Sequence, residues 1–379
     1  MSRFDQDTAA WTARRRLQGL LLRGSRAGSP GGVVRQLTAV QAQVHGYARW
    51  SVAQRNEGQP SASVVDSAFD EGSILRTHVL RPTWHYVAAS DLGWLMRLSG
   101  PRVEAGNASM YRNLELDAGT FERTNALIAA YVEEGPRTRD ELFAMLESHG
   151  VSTPNNRGVH MLMHAELTSV ICSGPMRGKQ HTYAAFNQRA PASGPEGDEA
   201  LGELAWRYFS TRGPATIKDF SWWAGLKMGD ARRGLALTQS RLDSCQVDGR
   251  TYWFVDQETP SLDQPAVDLV QCYDEAIISY SESRDLLQGP EVSFPVPRYI
   301  DGYQHVVLLD GRLLGHWRVN RDSSIETRIP CDHGNVVSAA LSREIERYQQ
   351  FLAGQGSQAS DFRRIPRIHG VGESCRPRT

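Results

Sequence analysis

Apolar residues fall at helical spacing through most of the first 260 residues, interrupted by short stretches in which apolar and polar residues alternate. Thr8 to Arg23 reads as a basic amphipathic helix capped by Thr8, with Leu17, Leu20 and Leu21 inward. Gly24 to Gly32 is a turn. A second helix is predicted from Val33 into Gln41-Ala42-Gln43, where Leu37, Val40, Val44 and Tyr47 form one stripe, and Gly46 is its stop signal. Further helices are predicted over Tyr47 to Arg55 and Ser63 to Glu71. Arg76 to Leu80 and Thr83 to Val87 then alternate as a hairpin around Pro82. Helices followed by a hairpin is the order of a winged helix, a helix-turn-helix with a β wing.

The pattern recurs. Tyr131 to Thr138 is echoed by Tyr208 to Thr216, each with Gly-Pro-x-Thr ending one helix and capping the next. Asn156-Arg157-Gly158 is likewise echoed by Arg232-Arg233-Gly234. Hairpins are expected at Val170 to Cys172 with His181 to Ala184, and at Cys245 to Val247 with Thr251 to Phe254 around Asp248-Gly249. From Val267 the character turns to β, with a hairpin around Asp310-Gly311 and a strand over Ser324 to Ile329, suggesting a small barrel or curved sheet. Ser338 to Ala353 reads as an amphipathic helix, and residues 354–379 as a loose polar tail.

Composition narrows the class. With 379 residues, 40% apolar and 22% charged, the chain is a soluble globular protein with material for two or three domains. The first residues lack a signal-peptide pattern and no apolar run approaches a membrane span, so a cytoplasmic protein without a membrane partner is expected. The 5 cysteines never form a C-x-x-C pair, which argues against a disulfide framework or zinc ribbon. The net charge of -1 hides an asymmetry: residues 1–110 hold 13 arginines against 8 acids. A basic N-terminal third suits a phosphate-facing surface.

Several residues carry both a functional and an ordinary reading. Gln41 and Gln43, two apart on a helix, would point roughly 200° from each other and could serve one ligand only if the helix loosens. His160 and His164 with Glu166 imitate a metal site but read as a helix–core boundary beside Met161 and Met163. Trp206, Trp222 and Trp223 read as core. Arg14, Arg15 and Arg16 read equally as a phosphate clamp or a solvated face. His78 and His85 lie on the first hairpin, facing either phosphate and sugar or the fold.

A set of motifs then resembles a known family. Gln41-Ala42-Gln43, Arg76-Thr77 with Arg81-Pro82-Thr83-x-His85, Gly178-Lys179-Gln180-His181-Thr182-Tyr183, Tyr273-Asp274-Glu275 and Asp310-Gly311-Arg312-Leu313-Leu314-Gly315-x-Trp317 together resemble the AlkZ/YcaQ family of tandem winged-helix DNA glycosylases. Gln at the second motif position resembles the AlkZ branch, whose members protect antibiotic producers from their own DNA-alkylating products. Tyr280 to Arg284 stands one residue out of step with the family's Tyr-x-x-Arg, so no role passes to Arg284. The resemblance implies an α+β fold of three winged-helix units (1–89, 90–190, 191–266), a C-terminal β-barrel-like domain with a helix (267–353) and a flexible tail (354–379). It also implies catalysis by Gln41 and Gln43, and DNA binding by Arg14, Arg76, Arg81, Thr83, His85, Arg157, Arg177 and Lys179. The implied partner of this monomer is duplex DNA with bulky alkyl lesions, with no metal and no cofactor.

Glutamine chemistry agrees with such a substrate. A purine alkylated at N7 is cationic and leaves readily, so a water must be placed and an oxocarbenium-like sugar stabilised. A carboxamide can orient water but cannot act as a general base. A lyase step would need an amine nucleophile, and Lys179, Lys218 and Lys227 lie far from Gln41 in sequence. A shallow site fits a bulky adduct better than flipping into a tight pocket. The alternative is a non-catalytic winged-helix DNA binder, a regulator or a protein sequestering drug or lesion.

Overall fold

The computed structural model describes residues 6–191, 193–258, 264–289, 305–320 and 322–353. The tail expected over 354–379 lies outside them. In chain order the elements are α1 (Gln6–Gly19), α2 (Pro30–Leu37), β1 (Val40–Gln41), α3 (His45–Ala53), α4 (Ala62–Asp70), β2 (Ile74–His78) and β3 (Trp84–Ala88). Then come α5 (Ala89–Asn113), α6 (Ala118–Glu133), β4 (Arg137–Thr138), α7 (Arg139–Ser148), α8 (Arg157–Leu167), β5 (Ile171–Ser173), β6 (Thr182–Ala185) and α9 (Phe186–Arg189). The chain continues through α10 (Gly197–Arg212), α11 (Ile217–Ala224), α12 (Met228–Thr238), β7 (Asp243–Val247) and β8 (Arg250–Phe254). It closes with β9 (Val267–Val270), α13 (Glu275–Ile278), β10 (His305–Leu309), β11 (Arg312–Val319), β12 (Ile325–Arg328) and α14 (Gly334–Ala353). The fold is mixed α+β.

One order appears three times: helix, a short strand or bridge, two helices, hairpin. In the first two units the short strand joins the second strand of the hairpin, giving sheets β1-β3-β2 and β4-β6-β5. In the third it shrinks to a bridge between Ala215 and Trp253 beside the hairpin β7-β8. The Gly-Pro-x-Thr stretches do cap helices. Thr138 opens α7 and Thr216 opens α11, each in a capping box closed by Glu141 and Asp219 respectively. Asp248 and Gly249 both take positive φ, which is what a tight turn of this hairpin requires.

The helix predicted through Gln41-Ala42-Gln43 does not form. α2 stops at Leu37, Thr38 takes φ +67, and Val40–Gln41 becomes an edge strand paired as Val40↔Tyr86 and Gln41↔His85. The stripe of Leu37, Val40, Val44 and Tyr47 is buried all the same, so the helical spacing marked burial and not conformation. Pairing with β3 outweighed local periodicity.

The sheet β1-β3-β2 is a partition between two cores. Val40, Ile74 and Tyr86 face one that includes Trp50, Leu269, Trp317 and Tyr348, shared with the C-terminal strands and α14. Ala39, Leu75 and Val87 face a second, built with α5, α10, α11 and α12 around Trp94, Tyr208 and Trp223. The middle unit keeps a third core of its own around Ile128, Leu142 and Met161. The expected barrel is not closed among the described residues. β12-β11-β10-β9 is an open antiparallel sheet, with α14 packed against its β9 edge. A helix covers that edge, so barrel closure is not needed to protect it.

Candidate functional site

The backbone is extended at Val40–Gln41, Ala42 N–H still bonds Trp84 O (2.7 Å), and Gln43 follows in a bend before α3, so the two glutamines do not sit on a helix. The helical geometry expected from sequence would have separated them. Gln41 is buried and Gln43 half-buried.

Arg81 organises the neighbourhood of Gln41. Its Nη2 donates to Gln41 Oε1 (2.9 Å) and to His85 Nε2 (3.1 Å), and its Nη1 donates to Trp223 O. His85 Nδ1 donates to Thr83 O (2.8 Å), which leaves Nε2 as the acceptor and makes the ring neutral. Burial, reinforced by the Arg81 charge, holds His85 well below the usual histidine range. Burial also pushes Arg81 down to about 10, which still leaves it charged at neutral pH. Arginine only donates, so Gln41 must turn its carbonyl inward and present its amide NH2 on the other side. Gln43 is held more loosely, its Oε1 accepting from Trp84 N at 3.3 Å.

The outer edge of β1 is closed from far along the chain. Gln41 N donates to Glu275 Oε1 (2.9 Å), Gln271 Nε2 donates to Gln41 O (3.3 Å), and Arg212 Nη2 donates to Ala39 O (3.1 Å). Arg212 and Glu275 are themselves ion-paired at 2.7 Å with side chains 0% and 1% exposed. Glu275 Oε2 also accepts from Trp223 Nε1 (2.8 Å) and Ser279 Oγ (3.0 Å). Burial alone would raise this carboxyl, but the Arg212 charge and hydrogen bonds, with Arg81 and the Gln41 N–H, hold it below its ordinary value. Asp274 fixes α13 in turn by capping Ala276 N (2.9 Å) and pairing with Arg55 at 2.6 Å. Removing one partner of such a buried pair costs about 3–5 kcal/mol.

Other proposed site residues separate into two groups. Arg76, Arg81, Thr83 and His85 gather around the glutamines. Arg76 donates to Ala42 O (3.1 Å) and lies 4.3 Å over the half-buried Trp84 ring, whose other neighbour is the His78 ring at 4.1 Å. Thr83 Oγ1 is buried with no hydrogen-bond partner among the described residues. Arg14, Arg157, Arg177 and Lys179 stand on other elements. Arg157 bonds Ser152 O (3.1 Å), Leu114 O and Glu115 O (3.2 Å), so it ties a loop instead of pointing at a ligand. Arg177 is exposed on the β5–β6 turn and pairs with Glu141 at 2.7 Å, and Lys179 is exposed two residues on. Arg14 is half-buried on α1.

Several sequence readings change. Arg81 was expected to hold DNA backbone, but its guanidinium is engaged with Gln41, His85 and Trp223. Arg15 and Arg16 form neither a clamp nor a solvated face. Arg15 bonds Val255 O and Gln257 O, and Arg16 bonds Pro214 O (2.9 Å) and Ser283 Oγ (2.6 Å). Trp223 is core, Trp206 lies 3.6 Å under Arg241, and Trp222 is 55% exposed. His164 bonds Glu104 (2.9 Å) while Glu166 bonds His78, so the three are not gathered on one ion. Sequence reasoning quoted Glu275 inside a motif and Arg212 inside a repeat without giving either a role. The signal available was charge at positions that the apolar pattern assigns to the interior.

A buried amide and guanidinium cluster thus lies on a sheet edge inside a helical α+β frame. The AlkZ-like DNA glycosylase family profile matches residues 34–351, and the chain belongs to that family. It is therefore a DNA glycosylase, which sets aside the non-catalytic alternative. An "Interstrand DNA cross-link repair glycosylase" of Streptomyces sahachiroi is 24% identical over 370 residues, covering 93% of this chain and 96% of the relative. The solved structure of Streptomyces sahachiroi DNA glycosylase AlkZ superposes with TM-score 0.75 at 23% identity, over 91% of this chain and 96% of that one, and shows a shared fold. Among the described residues, no helix is long and apolar enough to cross a membrane.

Proposed function

We propose that this glycosylase releases bulky N7-alkylguanines from duplex DNA, including those joined as interstrand cross-links, with Gln41 and Gln43 acting at the sugar. Supporting this is the place of Gln41 on β1, with Gln43 just beyond its end, beside the neutral His85 and the charged Arg81. In this reading Gln41, pinned by Arg81, is the fixed reference. Gln43, held by one long bond, turns its carbonyl to orient water. The C1′–N9 bond breaks with its electrons passing to the cationic purine, which leaves neutral; water adds at C1′ and gives its proton to solvent. Neither glutamine has to carry a proton.

The three units are read as tandem winged helices, divided at residues 89, 190 and 266. In the same reading the exposed Arg177 and Lys179, with Arg14, hold backbone phosphate. Thr83 and Arg76 line the approach to the lesion, and His85, expected to contact DNA but 0% exposed, braces Arg81 behind them. The likeness to a cross-link repair glycosylase supports a self-protective role against a genotoxic alkylator.

Substrate scope tests the proposal. Duplexes bearing an N7-alkylguanine, an N7-linked cross-link, uracil or 8-oxoguanine are incubated in parallel, with and without alkali. Only the cationic lesions are expected to be released, and strands are expected to break only after alkali. Release of uracil, or nicking before alkali, would mean that a stronger acid, base or amine is at work.

A further inference from the structure

A comparison of the three units singles out one residue. In the second and third units, the backbone N–H at the start of the cap is taken by a carboxylate three residues later. Thr138 N donates to Glu141 Oε2 (2.7 Å) and Thr216 N to Asp219 Oδ2 (3.0 Å), and a helix follows at once. In the first unit the last-paired residue, the counterpart of Thr138, is Gln41, and three residues later stands Val44, whose side chain cannot accept. The Gln41 N–H is taken instead by Glu275, 234 residues away. The carboxylate that starts a helix in the other units is here supplied from outside, and the chain is extended at Val40–Gln41 and bends at Gln43–Val44 before α3 begins at His45.

We propose that Glu275 is a positioning residue for base release, holding Ala39–Gln41 extended so that Gln41, and Gln43 in the bend that follows, face the sugar. It does not touch DNA, since it is 0% exposed and both its oxygens are occupied. With Arg212 it grips two successive free groups of the edge strand, the Ala39 carbonyl and the Gln41 N–H. The apolar spacing of this stretch suits a helix, in which Gln41 and Gln43 would diverge. Glu275 supplies the bond that this helix would otherwise compete for. The inference rests on the assignment of Gln41 and Gln43.

The test uses single-turnover release from a duplex carrying one N7-methylguanine, followed over a range of enzyme concentration. The limiting rate is thereby separated from the half-saturating concentration. Glu275→Ala is expected to lower the limiting rate about thirtyfold or more and to leave half-saturation within about threefold, equivalent to roughly 2 kcal/mol in the barrier alone. Glu275→Gln, which keeps an acceptor for the Gln41 N–H, is expected to regain at least about threefold of that loss. If Glu275→Ala does not fold, two charge-balanced pairs carry the test: Arg212→Met with Glu275→Gln, and Arg212→Met with Glu275→Leu. The first is expected to be about tenfold faster at equal half-saturation. Equal limiting rates for the two pairs, or a wild-type rate for Glu275→Ala, overturns the proposal. Gln41→Ala/Gln43→Ala is run beside them. If it is slow while the Glu275 variants are normal, only the role of Glu275 fails; if it is fast, the glutamine assignment fails and Glu275 with it.

Discussion

The first unit and the two that follow share an order of elements but spend the same few positions differently. The second and third invest them in stability. Thr138 and Thr216 each join the sheet edge to a helix through a capping box made within the unit, although Asp219 of the third also accepts from the N–H groups of Ser281, Glu282 and Ser283. The first has no side-chain cap on α3, whose cap residue is Val44, and inserts Ala42-Gln43-Val44 between strand and helix. Its edge strand is instead closed by Arg212 from the third unit and by Gln271 and Glu275 from the C-terminal region. A repeat that gives up local closure becomes dependent on the rest of the chain. This accounts for its hydrophobic contacts, which are shared with the C-terminal sheet on one side and the third unit on the other.

The largest way to expose that difference is acid. His45, His85 and His181 are held well below the usual histidine range by burial and nearby arginines, and burial puts His305 at about 3. The unfolded chain therefore binds more protons than the folded one below about pH 6.5. Stability is full above that pH and falls as pH drops towards the folded values, by up to about 1.4 kcal/mol per pH unit for each histidine. Two of the four flank the glutamine strand. Urea midpoints are expected to fall steeply between pH 7.5 and 5, and a flat profile would contradict the burial of these rings.

Arg81→Ala comes next. Loss of a charged donor to Gln41 and His85 is expected to slow base release by about tenfold to a hundredfold, the equivalent of roughly 1.5–3 kcal/mol. The salt dependence of binding is expected to stay the same. An unchanged rate with a shallower salt slope would return Arg81 to the phosphate-binding role that its sequence context suggested.

Caps give the smaller, opposite signature. Thr138→Ala is expected to cost about 1 kcal/mol in unfolding and nothing in base release, because the second unit's cap serves only its own helix. Measurable loss of rate in the folded variant would mean that the units are not specialised as argued. Smallest of all is Arg177→Ala on the exposed turn. It is expected to weaken duplex binding a few-fold at moderate salt and lower the salt slope by about one, with no change in limiting rate.

The repeats were legible because turn and cap chemistry is local. Gly135-Pro136 and Gly213-Pro214 with their threonines, and Asp248-Gly249, predict boundaries that the structure bears out to within a few residues. The glutamine motif was legible as residues but not as geometry. Leu37, Val40, Val44 and Tyr47 carry helical spacing, and what defeats it is pairing with Tyr86 and His85 and a carboxylate at position 275. No local window holds that information. Arginines misled for a related reason. Arg15, Arg16 and Arg81 read as candidate phosphate contacts in sequence, yet the first two are buried and the third is tied to Gln41, each against internal acceptors. A guanidinium with five donors serves an interior network as well as it serves phosphate.

Assignment of the chemistry to the amides of Gln41 and Gln43 decides the rest. It is tested most directly by single-turnover release of an N7-alkylguanine from duplex DNA by Gln41→Ala, Gln43→Ala and the double variant, each checked for native unfolding behaviour. The account predicts that each single change slows release by at least about tenfold, equivalent to roughly 1.4 kcal/mol in the barrier, while affinity for the lesion duplex hardly moves. A double variant that releases the base at the wild-type rate would contradict it.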